Sequence, residues 1–115
     1  MKLWGLLLIG LMLFTTVGCA ARTGKVSWYG GKYHGRTTAS GEVFNKEAMT
    51  AAHKDWRFGT RVRVTNPETG RSVVVRVNDR FPATKGRTLD LSEGAFRRIA
   101  PLARGVIDAE IEKLD

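Results

Sequence analysis

The stretch TRVRVTNPETGRSVVVRVNDRFP, residues 60–82, constrains the fold more than any other part of the chain. Val62 and Val64 alternate with Arg61, Arg63 and Thr65, the period-two pattern of a strand with one face buried and one face in water. Pro67-Glu68-Thr69-Gly70 follows as a turn, with glycine where a positive φ is needed. Arg71 to Asn78 then returns with Val73, Val74, Val75 and Val77, so the two segments pair as a hairpin. Where the second arm leaves the core it meets Asn78, Asp79 and Arg80 together, and Phe81-Pro82 ends regular structure. A carboxylate in that place is a turn residue, an ion-pair partner, or an acid held in a sheltered site.

The other strand candidates are short: Lys25 to Tyr29, Met49 to His53, Leu89 to Leu91 around Asp90, and Gly105 to Leu114 alternating through Ile107, Ala109 and Ile111. Ser92 is placed to cap a helix in which Ala95, Phe96 and Ile99 fall at helical spacing and which Pro101 limits. About six short strands with one or two short helices predict a mainly β fold, closed into a small barrel because closure leaves no exposed edge.

The first residues are a different object. Met1-Lys2 is basic, Leu3 to Phe14 is almost unbroken apolar sequence, and Thr15 to Gly18 leads to Cys19, the single cysteine of 115 residues. Basic, apolar and small residues in that order predict a signal peptide over 1–18. The apolar run is short of the roughly 20 residues that a membrane-spanning helix needs, which sets the competing anchor reading behind it. A lone cysteine excludes an intramolecular disulfide, and its position resembles a bacterial lipobox, which predicts lipidation of Cys19 and a short linker over 19–23. Ala20 after the cysteine favours, by the same resemblance, the periplasmic face of the outer membrane. The net charge of +8 suits an anionic partner. Export argues against nucleic acid, and no zinc-ligand spacing or RNA-binding motif supports it. His34 and His53 are the only histidines, too few to predict a metal site, and no cofactor motif is present.

The blocks SWYGGKYHGRTTASGEVFN, MTAAHK, FGTRVRVTN, GRSVVVRVNDRFP and GRTLDLSEGAFRRIA, in this order, resemble the rare lipoprotein A (RlpA) family over residues 24–115. The resemblance implies a double-psi β-barrel related to that of expansins. It also implies lytic transglycosylase activity, the cleavage of peptidoglycan glycan strands poor in stem peptides to leave 1,6-anhydro-muramyl ends. Glu42 in ASGEVF, His53 in TAAH and Asp79 in VNDR match the family's functional residues, and Asp79 is the expected acid and base. Arg80, next to it, would oppose its protonation, but adjacent side chains of an extended strand point to opposite faces. Phe81 and the valines are expected to wall in the acid, and Glu42 to add like-charge repulsion.

Tyr29 and Trp56 are the expected sugar-stacking rings, with Arg80 the candidate for holding the lactyl carboxylate of muramic acid. Phe81 stands where the family usually has glycine in NDRGP, so it is expected either to support a sugar or to obstruct the groove. A monomer bound to peptidoglycan, and to the membrane through Cys19, is the expected assembly. Two further classes stand beside the enzyme: an expansin-like domain that binds or loosens the wall without cutting it, and a lipoprotein that docks another protein.

Overall fold

The computed structural model describes residues 21–81 and 86–115. The expected signal peptide, the lipidation site Cys19 and the chain-stopping Pro82 lie outside the described residues.

The hairpin forms as its pattern requires. Strands β3 (Arg61–Asn66) and β4 (Arg71–Asp79) pair antiparallel with Val62 opposite Val75 and Val64 opposite Val73. All four of these valines, with Val77, are buried, while the arginines between them face water. Gly70 takes φ 73° and closes the turn by donating its N–H to Asn66 O at 2.8 Å. Asn66 is itself buried and ties the turn to the helix through a 2.9 Å bond from its Nδ2 to Ile99 O.

The remaining strands are β1 (Arg22–Tyr29), β2 (Thr50–Ala52), β5 (Arg87–Ser92) and β6 (Val106–Lys113). Ser92 Oγ accepts from Ala95 N at 3.1 Å and so starts α1 (Glu93–Ile99), whose Ala95, Phe96 and Ile99 enter the core. Two single 3-10 turns, at Gly31–Tyr33 and Leu102–Arg104, are the only other helical pieces among the described residues. β1 starts three residues before the expected Lys25. Arg22 and Thr23, read from the sequence as linker, pair with Ile111 and Glu110 of β6, and their outward side chains give no apolar pattern to announce a strand.

The six strands close into a barrel in the order β1-β5-β2-β4-β3-β6. The pairs β1/β5 and β2/β4 are parallel and the other four are antiparallel, which makes this a double-psi β-barrel. Its interior is aliphatic, with Val26, Leu89, Leu91, Ala51, Val62, Val64, Val75, Val77 and Ala109 almost wholly inaccessible. Burying one such side chain contributes about 1.5–3 kcal/mol, and so many of them in one cluster supply the main drive for closure.

One lateral row of the barrel has a different character. Ser27 of β1 lies opposite Asp90 of β5, Asp90 opposite Ala52 of β2, and Ala52 opposite Asp79 of β4. Directly opposed residues project to the same face of a sheet. Their neighbours Val26, Leu89, Leu91, Ala51 and Val77 point inward, so this row faces out.

Candidate active site

A β-bulge brings Asp79 into that row. Ala51 pairs with Val77, but Ala52 pairs with Asp79, so Asn78 is an extra residue on β4 with no opposite number on β2. Without the bulge, strict alternation would point Asn78 outward and Asp79 into the aliphatic core, where an unpaired carboxylate is very costly. With it, Asp79 emerges beside Ala52 into a cleft of about 260 Å³ lined by Tyr29, Tyr33, Ala52, Asp79, Arg80, Phe81, Arg87 and Asp90.

The two oxygens of Asp79 are not equivalent. Oδ1 accepts two backbone N–H bonds, from Ala39 and from Arg80, each 2.9 Å. Among the described residues Oδ2 accepts only the hydroxyl of Tyr29, at 3.1 Å, and is the oxygen left for exchange with a ligand. Of the expected apolar wall, Val73, Val75 and Val77 lie in the core and Phe81 lines the cleft, while the carboxylate's own partners are polar donors. Tyr29 stays a neutral donor, since its burial and then the neighbouring Asp79 charge push the phenol far above its ordinary range. Its ring stacks on Phe44 at 4.6 Å and meets Tyr33 edge-on at 5.7 Å.

Asp90, read from the sequence only as the polar residue of a short strand, is a second carboxylate of the same cleft. It is 8 % exposed, accepts the Ser27 hydroxyl, and lies 3.4 Å from Arg87 Nη1, which also donates to Ser27 Oγ at 2.9 Å. Two strand spacings separate the backbones of Asp90 and Asp79, about 10 Å. A charged residue between Leu89 and Leu91 was the available signal, but an ordinary half-buried strand shows the same pattern.

Glu42 and His53 stand close to Asp79 without lining its cleft. The Glu42 carboxylate is gripped by both terminal nitrogens of Arg76, at 2.6 and 2.8 Å, and by Asn78 Nδ2 at 3.3 Å. The Arg76 and Asn78 hydrogen bonds hold Glu42 below the usual carboxylate range. Its charge is thus answered locally rather than directed at Asp79. His53 is buried, and its Nδ1 accepts N–H bonds from Asp55 at 3.1 Å and Trp56 at 2.9 Å, which puts the ring proton on Nε2. Burial lowers its pKa. The His53 N–H also donates to Asp79 O at 3.1 Å, so this histidine braces the strand end that carries the acid.

Of the two rings expected to meet sugar, Tyr29 lines the cleft with a face covered by Phe44. Trp56 stacks parallel on His53 at 3.9 Å and packs against the core. The exposed aromatic side chains nearby are Tyr33, on the cleft, and Phe58, under Arg80. The Arg80 guanidinium lies 4.0 Å from the Phe58 ring centre and reaches the carbonyls of His53 and Asp79 at 3.4 Å. It does not pair with the Asp79 carboxylate, as the alternation of strand side chains predicts. Phe81 does line the cleft, half-buried, with Arg87 at 5.8 Å from its ring centre.

Comparison with known proteins agrees with this fold. The family model described as "Lytic transglycolase" matches residues 21–111. A probable endolytic peptidoglycan transglycosylase RlpA of Synechocystis sp. is 59% identical over 83 residues, covering 72% of this chain and 26% of the relative. The endolytic peptidoglycan transglycosylase RlpA of Neisseria meningitidis serogroup A is 44% identical over 93 residues, covering 81% and 39%. The chain therefore spans about a quarter to two-fifths of the length of these relatives.

Among solved structures, an apo expansin of Clavibacter michiganensis aligns with TM-score 0.67 at 26% identity, over 83% of this chain and 50% of that one. A mutant of that expansin, solved with cellohexaose, aligns with TM-score 0.66 at 25% identity over the same shares. The Streptomyces papain inhibitor aligns with TM-score 0.64 at 28% identity, over 81% of this chain and 92% of that one. Sequence blocks, barrel topology and family match converge: the chain belongs to the lytic transglycolase family, in its RlpA group.

Proposed function

We propose that this domain cleaves peptidoglycan glycan strands by endolytic transglycosylation, a cut that consumes no water and leaves a 1,6-anhydro-muramyl end. The observation that carries the reading is the asymmetry of Asp79: Oδ1 is fixed by two backbone N–H groups and Oδ2 faces an open cleft beside one neutral hydroxyl. Protonated at Oδ2, Asp79 gives its proton to the glycosidic oxygen as the C1–O bond breaks. The resulting carboxylate takes the proton from the C6 hydroxyl, whose oxygen closes on C1, and the acid is restored. Tyr29 keeps Oδ2 aimed throughout, and Asp90, paired with Arg87, lines the same cleft.

Arg80 supports the narrower substrate, strands stripped of stem peptides. Arg80 lines the cleft, and the partners of its guanidinium are an aromatic ring and two carbonyls rather than a carboxylate, which suits it to a free lactyl carboxylate. By the same reading residues 1–18 are removed, Cys19 is lipidated, and a monomer is held at the periplasmic face of the outer membrane.

A second reading has its own support. The barrel aligns with an expansin solved with cellohexaose, and Phe81 adds bulk to the cleft, both of which suit a domain that grips glycan without cutting it. Incubation of the purified domain with amidase-treated sacculi separates the two. Soluble products bearing anhydro-muramyl ends, detected by mass spectrometry, are expected. Protein that pellets with sacculi and yields no such ends leaves the binding reading in place of the enzyme.

A further inference from the structure

We propose that Glu42 is a positioning residue, and that it works with Arg76 and Asn78 as a clamp that delivers the Ala39 N–H to Asp79. The proposal concerns the same site as the transglycosylase reading, but its structural half does not depend on that reading.

Residues 38–42 form a short excursion over the end of β4. Ala39 N donates to Asp79 Oδ1 at 2.9 Å and Ser40 N donates to Asn78 O at 3.3 Å, so this loop supplies one of the two N–H groups on the fixed oxygen of the acid. The loop is held at its base by Thr38, whose N–H and hydroxyl both donate to Glu42 O, at 2.7 and 2.9 Å. Gly41, with φ 95°, makes the reversal. These bonds close the loop on itself, and one longer backbone bond ties it to the barrel. The Glu42 side chain adds the stronger attachment, a two-pronged ion pair to Arg76 and a bond from Asn78, both on β4 and within three residues of Asp79.

Asn78 shows why the clamp and the acid belong together. It is the bulged residue that turns Asp79 outward, and it is 2 % exposed. Its Oδ1 is buried with no hydrogen-bond partner among the described residues, and its nitrogen is turned toward Glu42, the one orientation that a carboxylate accepts. A buried acceptor left unpaired destabilises, and the bond to the Glu42 anion is what offsets it. The anion thus fixes the bulge residue from one side and the loop from the other, and Asp79 sits between them. The Glu42 side chain is exposed, but both its oxygens are engaged by Arg76 and it does not line the cleft that Asp79 enters.

The test separates position from chemistry. In Glu42→Gln the backbone amide of Ala39, followed by 15N NMR, is expected to shift and to exchange with solvent about tenfold faster, the effect of loosening one charge-assisted attachment. Cleavage of amidase-treated glycan is expected to fall about tenfold with the drop in kcat rather than KM. Exchanging the charges, Glu42→Arg with Arg76→Glu, is expected to restore most of the rate and the Ala39 resonance, although no carboxylate then stands at position 42. An Ala39 amide that does not move in Glu42→Gln overturns the proposal. So does a charge-exchanged protein that melts like wild type, regains the Ala39 resonance and remains inactive. If the wild-type domain cuts no glycan, the transglycosylase reading falls and the Ala39 measurements still decide this one.

Discussion

On the hairpin side of the barrel, where β3 meets β4 and β6, polar side chains stand in water and pair with one another across strands. Arg63 meets Glu112 at 2.9 Å and Arg61 meets Asp115 at 3.1 Å, with Glu112 half-buried and the other three exposed. On the cleft side, along Ser27, Asp90, Ala52 and Asp79, the polar groups are sheltered and are held by backbone N–H groups and hydroxyls from loops and neighbouring strands. Both sides share one aliphatic interior and one ladder of strands. What separates them is who satisfies the polar atoms: solvent and mobile side chains on the first, fixed donors on the second. Fixed donors orient a carboxylate in advance, which is what chemistry requires, and solvated pairs contribute little beyond solubility.

The contrast can be broken in four places. The largest effect belongs to Asp79→Asn, which keeps the shape and removes the exchangeable proton. Anhydro-muramyl products are expected to fall about a thousandfold with an unchanged melting curve, and near-normal activity would remove Asp79 as the acid. Val64→Ala, in the shared interior, is expected to cost about 2–3 kcal/mol in urea unfolding while cleavage per folded molecule stays the same. A selective loss of activity at equal folded fraction would mean that the hairpin side also shapes the cleft.

His53 tests how well the fold shelters a ring beside the site. Because burial favours its neutral ring, the stability linked to it is fully present above the unfolded value of about 6.5 and is lost as pH falls through the lower folded value. An NMR titration of the ring should give a midpoint below about 6.5, and a midpoint at or above that value would contradict the buried, neutral placement. The smallest change is expected for Arg63→Gln, within about 0.5 kcal/mol, since an exposed ion pair is all that it removes. A larger loss would show that the hairpin side is held by its charges after all.

The hairpin could be read directly because period-two alternation from Val62 to Val77 is a local signal, written within one segment. Asp79 stood out because it lies where that pattern stops, but its role as the acid was an expectation from the family resemblance and not from the pattern. The bulge that aims it was not legible, since Asn78 is extra only relative to β2, more than twenty residues earlier. Asp90 was missed because Leu89 and Leu91 make it resemble any outward strand residue. Only pairing with Ser27 and Ala52 turns that outward face into a cleft. Tyr29 and Trp56 were found as aromatics near the site, but their ring faces are assigned by Phe44 and His53, partners that lie elsewhere in the sequence or on the far side of a turn. Arg76 carried no mark beyond belonging to the strand, and Asn78 was marked only as the polar residue before Asp79.

The order of strands around the barrel bears on how the site comes into being. β1 lies between β5 and β6, so the first strand of the domain waits for the last two before either of its edges is paired. Ser27 and Asp90 are 63 residues apart in the chain and Tyr29 and Asp79 are 50 apart, separations that tie folding to slow, non-local search rather than to local nucleation. The hairpin of β3 and β4 can form early, but an Asp79 without Tyr29 or the Asp90 row beside it is only a loop carboxylate. The contacts around Asp79 are therefore complete only when the barrel is closed, so the site and the closed barrel come into being together.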